Sequence, residues 1–307
     1  MPSMKIQDTP TSALNLTAWF VSIPPGQSIP DYTVLEEAMD TQTGFLHETG
    51  NVNELLIENP GDRDLFIQAG DIVKGGRQDR TLGADFIVPA KSGKVPIPVF
   101  CVESQRWHKR EKESAMLFSK SSSFTASKKL RAAINKSKSQ GEVWASVEEE
   151  QVKMSASLGI SAKCAASPSS LQLSYEKKEV TSALKDYLGS LESAPNPDAV
   201  GVVWAINGKL SHADIYGGPE LFRKVWKKLL QAAAYEAIGE RSEPASALPS
   251  DIAEVSAWLE ESAAAPSEEE NLPPRTRLST RKAKSQLRFE THDTVVAAPI
   301  HLSILAQ

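Results

Sequence analysis

Two short blocks of this chain collect side chains able to hold or transform a polar ligand. In "GDIVKGGRQDR", Gly70 to Arg80, a double glycine precedes Arg77, Gln78, Asp79 and Arg80; in "CVESQRWHKR", Glu103, Arg106, Trp107 and His108 follow an apolar run. Gly75 and Gly76 carry no Cβ, so their N–H groups could approach an oxyanion, while Arg77 or Arg80 could donate paired hydrogen bonds to a phosphate or carboxylate. Glu103 could accept a ligand hydroxyl, or share general acid and base work with Asp79. Arg106 could neutralise phosphate, and the Trp107 indole could stack on a base or sugar. Each block also has a purely structural reading: a hairpin whose Asp79 and arginines pair with one another, and a Glu103–Arg106 ion pair with Trp107 packed on the sheet.

Weaker candidates lie elsewhere. His212 and Asp214, two residues apart on one strand, could form a base whose tautomer the aspartate sets, or a half-exposed polar strand face. Cys101, between Phe100 and Val102, reads as a small core residue rather than a nucleophile. There is no GxxxxGK[ST], GxGxxG, HExxH, GxSxG or paired CxxC, and the five histidines show no HxH or HxxxH spacing. No metal ligands and no cofactor can therefore be named.

The elements that must position these residues are legible in outline. From Leu14 to Trp107 short apolar runs alternate with turn chemistry, as antiparallel strands require. In "KVPIPVFCVES", Val95, Ile97, Val99, Cys101 and Glu103 share one face, and two prolines place the strand at an edge or on a bulge. A helix is expected over Gln140 to Leu158 and a second over Leu171 to Leu191. Asn207-Gly208 between "AVGVVWAI" and "KLSHADIY" predicts a type I′ hairpin. A two-residue turn there pairs the face of Val200, Val202, Trp204 and Ile206 with Ser211, Ala213 and Ile215, leaving Val203, Ala205, Leu210, His212, Asp214 and Tyr216 opposite. Pro219 opens an amphipathic helix whose stripe is Leu221, Phe222, Val225, Trp226, Leu229, Leu230 and Ala233, with Arg223, Lys224, Lys227 and Lys228 outside it.

The predicted class is α+β: an N-terminal antiparallel β-rich sheet or sandwich, then a helix and a hairpin-plus-helix layer, with a terminal strand returning to the body. Composition divides the chain into a β-rich part over 14–108, a Ser/Lys-rich loop over 109–138 with a short helix from Thr125 to Asn135, and an α+β part over 139–240. A loose linker or insertion over 241–285, in which Ile252 to Leu259 could form a short helix, and closing strands over 286–307 complete it.

With 307 residues, 40% hydrophobic and 24% charged, the chain can build a globular core. A net charge of −5 speaks against nucleic acid or an anionic membrane as partner. Two isolated cysteines suit a reducing compartment, and neither a secretion signal nor an apolar run of spanning length is visible, so a cytoplasmic location is expected.

The block "AGDIVKGGRQDRTLGADFIVPAKSGKVPIPVFCVESQRW", with "QGEVWASV" and "GVVWAINGKLSHADIYGGPELFRKVWKKLL", resembles a prokaryotic domain family, the ARG and Rhodanese-Phosphatase-superfamily-associated Protein domain. The resemblance runs from Leu14 to Ile238, with "HLSIL" as a closing strand. The matching positions are Gly70, Asp71, Gly75, Gly76, Gln78, Asp79, Arg80, Glu103, Arg106 and Trp107. The family is named for its association with ADP-ribosylglycohydrolase and rhodanese-phosphatase genes. That association implies NAD, ADP-ribose or phosphoester metabolism rather than one reaction.

Two functions follow. The first is a ligand-binding or accessory domain that captures a small phosphorylated or nucleotide-like compound. The second is a hydrolase or transferase acting on such a compound, with Glu103 or Asp79 as acid or base. The first is favoured, since no recognised catalytic motif is present.

Overall fold

The structure, a computed structural model, describes residues 4–24, 29–104, 106, 114–137, 139–164, 168–241 and 251–307. Two units are distinguished, one of Met1–Asp31 with Leu184–Gln307 and one of Tyr32–Ala183. Both are built on antiparallel sheets with helices, the α+β class that the alternating and helical segments imply. Among the described residues no helix is long and apolar enough to cross a membrane.

The first unit is a nine-stranded antiparallel sheet. Its central order is Leu16–Ser22, Ala199–Ile206, Lys209–Tyr216, Pro299–Ala306 and Gln286–Asp293, so the terminal strand does rejoin the body. Asn207 and Gly208 take φ of 50° and 75°, the left-handed pair that a type I′ turn needs. The faces differ from the simple two-residue register. A shift between Trp204 and Ala205 sets Trp204 opposite His212, leaving Ser211 as the extra residue of a bulge. One inserted residue exchanges the faces beyond it, so Val202 and Trp204 share a side with Asp214 and His212, while Val203 lies with Ala213 and Ile215.

Helix Pro219–Gly239 covers the first of these faces. Trp226 stacks on Trp204 with centroids 5.6 Å apart and meets Phe20 edge-on at 5.3 Å. All seven stripe residues expected from periodicity are buried, but Lys228, expected outside, is buried as well. Helix Ile252–Glu261 closes the opposite face through Val255 and Leu259, against Trp19, Val21, Val203, Ala213, Ile215, Leu302 and Ile304.

That helix and the strands Ser267–Leu272 and Thr276–Lys282 occupy the stretch 241–285 that composition marked as loose; residues 242–250 lie outside the described ones. The acidic and basic runs pair with each other as neighbouring strands, Glu269 opposite Ser279 and Asn271 opposite Arg277, and so need no apolar core of their own.

The second unit carries a six-stranded sheet in the order Phe118–Thr125, Asp71–Gly75, Arg80–Leu82, Ser92–Cys101, Glu54–Asn59, Phe45–Glu48. Its two ends meet. His47 bridges Leu117, and Glu48 N–H donates to Met116 C=O at 3.0 Å, so the sheet nearly closes as a barrel. Strand Phe118–Thr125 lies within the segment read as a Ser/Lys-rich loop, and helix Lys128–Ala132 falls inside the short helix expected over Thr125 to Asn135. Strand Ser92–Cys101 has a register shift between Ser92 and Val95, ahead of its prolines. It pairs with Glu54–Asn59 over Val95–Pro98 and with Arg80–Leu82 only over Val99–Cys101, so Pro96 and Pro98 lie where one side is an edge, exposed, while Ile97, Val99 and Cys101 are buried. Helix Gln140–Leu158 has the expected bounds and ends at Gly159 in the left-handed conformation. The second expected helix is broken into Leu171–Tyr175 and Lys178–Leu191.

Candidate functional site

The described residues at the end of the first block and the start of the second meet at one end of this barrel. Strands Asp71–Gly75 and Arg80–Leu82 form a hairpin with Val73 opposite Arg80, and Gly76–Asp79 make its turn. Ser92–Cys101 pairs on the other side of Arg80–Leu82, with Cys101 opposite Arg80. The chain leaving Cys101 therefore runs beside the glycine turn, where Val102 N–H donates to Asp79 C=O at 3.1 Å. Gly75 and Gly76 hold φ of 134° and 54°. A Cβ at Gly75 would lie 2.9 Å from Leu117 O, and one at Gly76 only 2.6 Å from Glu48 Oε2.

The side chains of the two blocks form one buried network. Arg106 donates from Nε to Glu103 Oε2 at 2.6 Å and from Nη2 to Asp79 Oδ1 at 3.2 Å. Asp79 N–H approaches Glu103 Oε2 at 3.4 Å. Gln78 Nε2 donates to Glu103 C=O at 2.9 Å, and its Oε1 accepts from Cys101 Sγ at 3.1 Å. Arg80 Nη1 donates to Gln78 C=O at 2.9 Å. Glu103 is 0% exposed, Asp79 and Arg80 1%, and Arg106 6%, so these charges are stable only because they face one another.

Several expected roles change in this setting. The glycine N–H groups are already engaged, Gly75 with Asp79 Oδ1 at 3.4 Å and Gly76 with Ser114 C=O at 3.0 Å, so they do not form an anion cradle. Arg77 is exposed and Arg80 buried, so the two arginines cannot serve one ligand in the same way. Trp107 and His108 lie outside the described residues. The Cys101 thiol is pushed above its usual range by burial, which the Arg80 charge opposes and the carboxylates of Glu48 and Glu103 reinforce; a protonated thiol bonded to Gln78 is a core group.

Gly70 and Asp71, the remaining matched positions, shape the turn below the network. Asp71 Oδ2 accepts from Gln68 N–H at 3.2 Å, and Gly70 at φ 89° lies where a Cβ would press on Arg131, Ala126 and Thr125. In the other unit, Asp214 Oδ1 is hydrogen-bonded to His301 Nε2 at 3.2 Å across the sheet, and His212 Nδ1 lies 3.1 Å from Ser211 Oγ. All four are buried, so the half-exposed polar face expected for His212 and Asp214 is an interior layer.

Two members escaped sequence reasoning. The Gln140 carboxamide pairs with the backbone of Cys101, accepting from N–H at 2.8 Å and donating to C=O at 2.7 Å. Glu48 places Oε2 3.8 Å from Arg80 Nη2, with its side chain 6% exposed. The signal for Glu48 was present: in "FLHE" it alternates with Leu46 and therefore points inward. The network holds Glu48, Asp79 and Glu103 against Arg80 and Arg106, an excess of one negative charge.

A family model described as the ARG and Rhodanese-Phosphatase-superfamily-associated Protein domain matches residues 6–304. No curated protein and no solved structure matches the chain.

Proposed function

The chain belongs to the ARG and Rhodanese-Phosphatase-superfamily-associated Protein domain family, and on that premise we propose that it is a ligand-binding accessory domain for an NAD-derived compound. The observation that carries this reading is the convergence of Gln78, Asp79, Arg80, Glu103 and Arg106, from two separate blocks, on one buried network at a barrel end. The family's association with ADP-ribosylglycohydrolase and rhodanese-phosphatase genes narrows the ligand class, by association rather than by contact.

Binding is favoured over turnover by the state of the carboxylates. A general acid or base must come within hydrogen-bond reach of the substrate proton it moves. Glu103 and Asp79, the two groups a hydrolase or transferase would use, are instead held by Arg106. They organise the site and leave ligand contact to its rim and to the groups around Arg80.

Thermal denaturation of the full chain with NAD, ADP-ribose and nicotinamide, each at millimolar concentration, tests the reading. At least one compound should raise Tm saturably, by the equivalent of about 2.7 kcal/mol at hundredfold excess over Kd, and be recovered unchanged. No shift with any NAD-derived compound would overturn it. A product that Glu103→Gln no longer makes would establish the enzyme instead.

A further inference from the structure

A third block of the sequence, "QGEVWASV" from Gln140 to Val147, opens helix Gln140–Leu158 and meets the network through its first residue. The Gln140 carboxamide accepts from Cys101 N–H at 2.8 Å and donates to Cys101 C=O at 2.7 Å. These two bonds stand in for a missing strand. Val102 N–H points to Asp79, so the Cys101 N–H and C=O point the other way, away from Arg80–Leu82. On that side the pairing with Glu54–Asn59 stops at Pro98, with one further bond from Val99 N–H to Asn53 C=O at 3.0 Å. Cys101 is 1% exposed, and without Gln140 its backbone groups would be buried and unmet. A carboxamide offers a neutral donor and acceptor side by side, as a neighbouring strand does.

What Gln140 holds is the join between the two polar blocks. Directly after Cys101, Val102 N–H donates to Asp79 C=O at 3.1 Å, Glu103 C=O accepts from Gln78, and the Glu103 carboxylate accepts from Arg106. The helix keeps the carboxamide in place, since Val143 and Val147 in its first turns are buried. Further along the same helix, Glu150 accepts from Ser127 Oγ and from Tyr175 O–H, the latter at 2.7 Å, while Ala126 N–H donates to Gly70 C=O at 2.8 Å. One helix therefore reaches the strand end that opens the second block and, through Ala126 and Ser127, the turn that opens the first. We propose that Gln140 is a positioning residue of the network, fixing the segment that carries Glu103 against the glycine turn. Its importance for binding rests on the reading of the chain as a binder of NAD-derived compounds, whereas its hold on the network is measurable without any ligand.

Amide hydrogen exchange at Val102, followed by NMR on the full chain without ligand, tests this role. In Gln140→Ala, Val102 N–H should exchange at least about tenfold faster than in the wild type, the loss of roughly one net hydrogen bond. It should also exchange faster than in Met154→Ala, which removes a buried side chain near the far end of the same helix. Gln140→Glu supplies a pH profile. A protonated carboxyl offers the same donor and acceptor as the carboxamide, while an ionised one only accepts. Compared with wild type at each pH, Val102 in Gln140→Glu should match Gln140→Ala near neutrality and regain wild-type protection below the ordinary glutamate pKa of about 4.3. A general loss of stability follows no such profile. Equal exchange in Gln140→Ala and Met154→Ala, or no return of protection in acid for Gln140→Glu, would overturn the role; if Gln140→Ala does not fold, the Gln140→Glu profile alone decides. Either failure leaves the binding of NAD-derived compounds to its own thermal test.

Discussion

Arg106 and Asp79, 27 residues apart in the chain, are joined by a buried contact of 3.2 Å between Nη2 and Oδ1. The same guanidinium holds Glu103 through Nε, so one cation from the second block orders a carboxylate from each block. The glycine turn is thereby tied to the strand end beside it.

Removing that cation should be costly. Arg106→Ala leaves Asp79 and Glu103 facing each other in a closed interior and should lower stability by about 3–5 kcal/mol in urea denaturation. Arg106→Lys, with a point charge in place of a fork, should fall between the variant and the wild type. A loss of less than about 1 kcal/mol for Arg106→Ala would show that the network is not needed to hold the fold.

Two glycines with positive φ separate backbone strain from steric conflict. Gly50 has φ +82° and nothing within 4 Å of an added Cβ, whereas Gly76 has φ +54° and two contacts at 2.6 Å, with Glu48 Oε2 and the Phe118 ring. Gly76→Ala should therefore cost about 1–3 kcal/mol more than Gly50→Ala. Equal shifts in Tm for the two variants would mean that the turn has room the structure does not show.

The two cysteines should differ in reactivity. Cys101 is buried and its thiol is held protonated by burial, while Cys164 is half-buried. Titration of the folded protein with a thiol reagent at mildly alkaline pH should label Cys164 first and reach Cys101 only on unfolding. Prompt labelling of both would place Cys101 in an open site and reopen its candidacy as a nucleophile.

An acid-sensitive contribution should come from Glu290. The hydrogen bond from His292, 2.8 Å long, holds the Glu290 carboxyl below its usual value of 4.5; burial opposes this, and the charges of His292 and Arg288 add to it. A carboxyl whose folded pKa is depressed contributes stability above its unfolded pKa and loses it as pH falls through the folded value. Glu290→Gln should therefore be less stable than wild type near neutrality, and the gap should close below pH 4.5. A gap that stays constant through the acid range would assign the loss to packing instead.

How much of this was legible depended on how local the cause was. Asn207-Gly208 and Pro219 marked a turn and a helix start because each satisfies a backbone requirement of its own position. The bulge at Ser211 was not legible, because the register that Trp204 and His212 adopt depends on what packs above them, and Trp226 comes from a different element. Lys228 was misplaced for the same reason: periodicity gives a helix one buried side, but not how far the cover extends around it. The acidic and basic runs around 267–282 read as solvated because neither can bury apolar surface; their pairing as strands rests on backbone hydrogen bonds, to which composition is blind.

By itself the sequence determined the α+β class, the two polar blocks and the glycines that let the first one turn, since these follow from side-chain type and local conformation. That the blocks meet was decided by the barrel, which sets Cys101 opposite Arg80 and brings Glu48 to them from the strand that closes the sheet. Tertiary structure also decided how the polar groups of the blocks are paired. Closure buries Arg106 against Asp79 and Glu103 and engages the glycine N–H groups, so the anion cradle suggested by the spacing becomes a rigid charged network. The Arg80–Glu48 ion pair within it joins residues separated by a stretch of chain across which no local rule connects them.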